Sequence, residues 1–154
     1  MVKPKFPVLP KIDELSRHPC THPTPLASTT SGGRVQCGVC ERHCLIPLSR
    51  YGFCATRANI DGRLHTVTYG DISSMSANPI EKKPFFHLWP GSYALTIGTW
   101  GCNFNCPWCQ NFEISKYAPD ISKPTYIDPD RLLKTTIAMG CQGVSFSFNE
   151  PTML

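Results

Sequence analysis

Apolar and polar positions follow two different periods in the last third of the chain. Val144, Phe146 and Phe148 alternate with Ser145 and Ser147, the two-residue period of a strand. Upstream, Tyr93-Ala94-Leu95-Thr96-Ile97-Gly98-Thr99 is a short β-prone run. Between them Leu132, Leu133, Thr136 and Ile137 recur at helical spacing, and this spacing predicts one face of a helix. Asp128 is placed to cap its start, Pro129 suits its first position, and Gly140 stands just past its end. The predicted order is therefore strand, loop, helix, strand. A right-handed crossover makes the two strands parallel and brings the loops that follow them to one carboxyl edge, where active sites of β/α barrels lie. Nearer the N-terminus, Asn59-Ile60-Asp61-Gly62-Arg63 sets an Asp-Gly turn before the β-prone run Leu64 to Tyr69, which predicts a hairpin.

Proline and serine change the picture before residue 34. Six of the 15 prolines lie in residues 1–25, and Ser28 to Gly33 holds only Ser, Thr and Gly, so residues 1–33 are expected to form a Pro/Ser-rich tail. Residues 34–90 are then expected to form a small β-rich domain, and 91–154 the start of an α/β domain. The 154 residues contain no apolar run near the ~20 that a membrane helix needs. No secretory signal is legible in the Lys- and Pro-rich start, which makes the cytosol the expected compartment. The net charge of +4 is spread without a basic run, and neither a nucleic acid nor a membrane is an expected partner.

Nine cysteines concentrate the chemistry. In a reducing compartment such thiols are metal ligands or catalytic groups more often than disulfides. Cys37, Cys40, Cys44 and Cys54 form one group and Cys102, Cys106 and Cys109 a second, leaving Cys20 and Cys141 as isolated free thiols. Four thiolates match a closed site, either a structural zinc or an auxiliary iron–sulfur cluster, with a spacing that is neither the common two-knuckle zinc pattern nor the bacterial ferredoxin run. Three thiolates in eight residues suit a cubane that leaves one iron without a protein ligand. His43 reads as an exposed neighbour of Arg42, His87 as a core histidine between Phe86 and Leu88, and Lys82-Lys83 as a solvated pair.

Ile97-Gly98-Thr99-Trp100-Gly101-Cys102, continuing to Cys109-Gln110-Asn111, resembles the cluster loop of radical S-adenosylmethionine (SAM) enzymes, in the branch similar to pyruvate formate-lyase-activating enzymes. With Asn78 to Pro84, Phe86-His87-Leu88 and Phe148-Asn149-Glu150-Pro151-Thr152, the segment from about residue 37 to 154 resembles the AmmeMemoRadiSam-system radical SAM enzymes more closely still. The resemblance implies an α/β fold in which residues 91–154 begin a partial (β/α) radical SAM barrel, truncated at the C-terminus, behind the small β-rich, Cys-containing domain. It implies that Cys102, Cys106 and Cys109 hold a [4Fe-4S] cluster and that S-adenosylmethionine binds the open iron. Trp108 would lie near the adenine, and Asn149 and Glu150 near the methionine ammonium. Related enzymes carry Gly-Gly before the Glu-Pro pair, where this chain has Phe148 and Asn149. An electron donor of flavodoxin or ferredoxin type and a protein or small-molecule substrate complete the implied partners. The rival expectation is non-enzymatic: a Cys-rich metal or iron–sulfur module serving as an electron carrier or interaction domain.

Overall fold

Among the described residues three small three-stranded sheets give a mixed α/β architecture that is mostly β. The computed structural model describes residues 9–116 and 125–153. The order is α1 (Ile12–Leu15), β1 (His22–Pro23), β2 (Ala27–Thr29), β3 (Val35–Cys37), β4 (Leu45–Ile46), β5 (Arg57–Ile60), β6 (Arg63–Thr66), β7 (Ser74–Pro79), β8 (Tyr93–Gly98), α2 (Phe112–Ser115), α3 (Pro129–Ala138) and β9 (Gly143–Phe146), with short 3-10 turns between. No helix among the described residues is long and apolar enough to cross a membrane.

The hairpin forms where the Asp-Gly signal places it. Ile60 of β5 pairs with Arg63 of β6 across a two-residue loop in which Asp61 and Gly62 have φ of 50° and 77°. Two consecutive positive φ values match the right-handed twist of the flanking strands, and Asp-Gly adopts them at little cost.

Residues 9–33 do not form the unpacked tail that their composition predicts; residues 1–8 lie outside the described residues. Strand β1 adds to the hairpin by pairing His22 with Thr66, and β2 pairs along β3 from Ala27↔Cys37 to Thr29↔Val35. Ile12 and Leu15 are buried together with Ala58, Ile60 and Val67. A four-residue helix and strands of two or three residues are too short to show a hydrophobic period, and prolines are tolerated on edge strands such as β1.

A further correction concerns the division at residue 90. Strand β7 pairs antiparallel with β8 over its whole length, from Ser74↔Gly98 to Pro79↔Tyr93, so it belongs to the later sheet. Its sequence Ser-Met-Ser-Ala-Asn-Pro lacks the β-branched and aromatic residues that mark strands. On the other side β8 pairs with β9 in parallel, Ala94↔Gly143 to Ile97↔Phe146, as the crossover rule requires. Among the described residues parallel pairing is confined to these two strands.

Helix α3 starts as expected: the Asp128 side chain accepts from the Arg131 N–H at 2.9 Å, and Pro129 opens the first turn. Its contact stripe is narrower than the periodicity implies. Leu132 packs on the core of Ile72, Leu95, Ile97 and Cys141, and Thr136 is buried, whereas Leu133 and Ile137 are exposed, the latter by 67%. Each lies one residue, about 100°, round the helix from a core-facing neighbour.

Candidate metal and cofactor site

The segment after β8 is built to turn sharply against the small domain. Gly101 has φ of 75°, and a Cβ there would stand 2.3 Å from the Cys54 carbonyl oxygen and 2.4 Å from Thr56 Cγ2. Only glycine accommodates both the positive φ and the close approach. The Gly101 N–H donates to the Ile114 carbonyl at 2.8 Å, which ties the start of the three-cysteine loop to α2. Within that loop the Cys109 N–H donates to the Cys106 carbonyl at 3.3 Å, and the Phe104 N–H points at Cys102 Sγ at 3.4 Å. Lys116 Nζ donates to the Phe104 carbonyl. Cys102, Cys106 and Cys109 are half-buried, and Trp108 is 83% exposed.

The residues after β9 meet this loop. Asn149 Nδ2 donates to the Gly101 carbonyl at 2.7 Å, and its Oδ1 accepts from the Thr99 N–H at 3.4 Å. Asn111 Nδ2 donates to the Phe148 carbonyl at 2.6 Å. The expected convergence of the two loops on one sheet edge is therefore present, with Asn149 as its hinge. Glu150 is half-buried, and its carboxylate accepts from the Thr152 N–H at 3.3 Å and from the Thr152 hydroxyl, closing the turn Pro151–Met153.

The other four cysteines line one small cavity with Val39, Arg42, Ile46, Gly52, Arg57, Asn103 and Met153. Burial pushes the Cys37 thiol up, opposed by the Val39 N–H and the Arg57 charge. Arg57 is 5% exposed; burial draws its pKa down, and Cys54, Cys37 and Cys40 draw it back up. Its Nη1 lies 3.1 Å from the Thr56 carbonyl and 3.3 Å from the Met153 carbonyl. Arg42 stacks on Phe53 at 3.6 Å and donates through Nε to the Asn103 carbonyl, joining the first cysteine group to the second. Composition and motif reading pass over Arg57, Arg42 and Asn103; the one available signal is a charged residue inside a β-prone run directly after Cys54.

Both groups fit soft metals by donor type, and all nine cysteines are unpaired. Among the described residues no three His, Cys, Asp or Glu side chains already stand together as a ligand set. Thiol sites commonly close only as metal binds. His43 is exposed and 3.5 Å from Glu41, in line with its reading, but His87 is exposed rather than a core residue.

Cys20 is fully buried, and burial, followed by the negative charge of Asp71, pushes its thiol from an ordinary 9.0 to about 12. Alkylation of the native chain near neutral pH should therefore spare Cys20, since the thiolate is the nucleophile. Because the folded thiol titrates above the unfolded one, its contribution to stability is whole below pH 9.0 and is lost as pH rises toward about 12. Cys20→Ala should flatten alkaline destabilisation in that window; an unchanged slope in denaturant titrations would count against the assignment.

No protein-family profile and no solved structure matches the chain. An uncharacterized protein of Methanocaldococcus jannaschii is 40% identical over 120 residues, which is 78% of this chain and 36% of that protein. The chain thus spans about a third of the length of the curated relative it matches.

Proposed function

We propose that this chain is part of a radical SAM enzyme, in which residues 91–154 belong to the partial (β/α) barrel and Cys102, Cys106 and Cys109 hold the [4Fe-4S] cluster. The observation that carries this reading is the meeting of the three-thiol loop and the Asn149-Glu150 turn at the carboxyl edge of the parallel pair β8–β9, through the Asn149 bonds to Gly101 and Thr99. Held by these three thiolates, such a cluster would supply the one-electron reduction that cleaves S-adenosylmethionine for hydrogen abstraction from a substrate. In this reading the Phe104 N–H, already aimed at Cys102 Sγ, steadies thiolate charge. Asn149 keeps the two loops in register. The half-buried Glu150, on the turn that follows Asn149, offers a carboxylate to the methionine ammonium, and exposed Trp108 offers a flat apolar face to the adenine. An electron donor of flavodoxin or ferredoxin type would serve the exposed loop.

The test is electron paramagnetic resonance of the anaerobically reconstituted, reduced chain with and without S-adenosylmethionine. A cluster signal that shifts on addition of S-adenosylmethionine is the expected result, because an iron without a protein ligand changes its ligation. A cluster indifferent to it would favour the carrier or interaction module.

A further inference from the structure

The buried surroundings of Cys37, Cys40, Cys44 and Cys54 contain a charge with no visible counterion. Arg57 lines their cavity, is 95% buried by its 5% exposure, and its Nε has no hydrogen-bond partner. Among the described residues no carboxylate lines that cavity and no salt bridge involves Arg57. Nη1 meets only neutral acceptors: the carbonyls of Thr56 and Met153 and the hydroxyls of Thr56 and Thr66. A buried guanidinium that cannot shed its proton needs an anion, and the groups at hand able to become one are the thiols.

We propose that these four cysteines bind a single zinc ion as thiolates and that Arg57 compensates the charge of the resulting centre. Four thiols and one Zn2+ give a tetrathiolate of charge −2 and release four protons, and the adjoining guanidinium brings the local sum to −1. No electron is exchanged. Four thiolates with no vacant position make up the closed tetrahedral set of a structural zinc site, whereas retained acid-labile sulfide would mark an auxiliary iron–sulfur cluster. The assignment explains why Arg57 is tolerated inside β5. It also gives the centre a reach beyond its own domain, because the same Nη1 holds the Met153 carbonyl next to the Glu150 turn. It does not depend on the function proposed for the three-cysteine loop.

The test uses the whole chain carrying Cys102, Cys106, Cys109→Ala, so that any metal belongs to the four-cysteine site. Offered zinc, or ferrous iron with sulfide, the chain should retain one zinc and no acid-labile sulfide, and cobalt substituted for zinc should show the thiolate charge-transfer intensity of four sulfurs. Arg57→Gln, which removes the charge and shortens the side chain while leaving an amide donor, should release zinc to a chromophoric chelator about 10–100-fold faster than the parent. Arg57→Lys should restore a rate near the parent's. Retention of iron and sulfide, a folded chain without metal, a cobalt spectrum of fewer than four thiolates, or equal release by Arg57→Gln and the parent would each overturn the proposal. Should Arg57→Gln fail to fold, the cobalt spectrum and the Arg57→Lys release rate decide it, with a tenfold acceleration in the lysine variant counting against charge compensation.

Discussion

Gly101→Ala is expected to lower the unfolding free energy by about 4 kcal/mol, a strain of roughly 1–3 kcal/mol for a positive φ added to a similar cost for overpacking. The methyl group would enter the space of the Cys54 carbonyl and Thr56 Cγ2, and the first of these is backbone that cannot turn aside. Gly140→Ala supplies the control. Gly140 has φ of 67° but nothing within 4 Å of its built Cβ, so alanine there bears the conformational cost alone, about 1–2 kcal/mol. Denaturant titration of both variants separates the terms, and equal losses would show that the contact between the three-cysteine loop and the small domain is looser than described. A loss of this size is a large fraction of the stability of an ordinary domain.

The second large effect is compositional. Anaerobic reconstitution with iron and sulfide should load about four of each onto the chain, and the Cys102, Cys106, Cys109→Ala variant should lose essentially all of that iron. The three positions are substituted together because two remaining thiolates can still hold a damaged cluster. Far-ultraviolet circular dichroism should be unchanged, since the loop adds no regular structure between Gly98 and Phe112. Iron that survives the triple substitution would place the cluster elsewhere and remove the basis of the radical SAM reading.

Local chemistry was readable where it acts on a few adjacent residues. The Asp61-Gly62 turn, the Asp128 cap and the β8–α3–β9 unit follow from side chains beside the elements they govern. Strands β1, β2 and β7 were missed because each is defined by its partner: β7 is a strand through pairing with β8 and not through residues of high β-propensity. The same holds at the site. The grouping of cysteines and the approach of the loop after β9 to theirs were legible from spacing and crossover handedness, but these point to Glu150, and the contact is made by Asn149. Arg57 was not, because its meaning arises from burial beside thiols spread over residues 37–54, and burial of a charge has no signature in a linear pattern.

The contact between Arg57 and Met153 has a consequence for the order in which the polypeptide is made. Met153 is fully buried, its carbonyl is held by a guanidinium 96 positions earlier, and its sulfur lies 4.0 Å from the Thr56 hydroxyl. A nascent chain emerges N-terminus first, so the cysteines of the small domain leave the ribosome long before the residue that completes the wall around them. Until then the cavity stands open on that side, and an incoming ion has freer access to thiols that the finished chain partly encloses, Cys37 being buried and the other three half-buried. For the zinc centre proposed here, acquisition of metal during translation and its retention afterwards would thereby be separated in time, with a contact of very high sequence separation acting as the closing event.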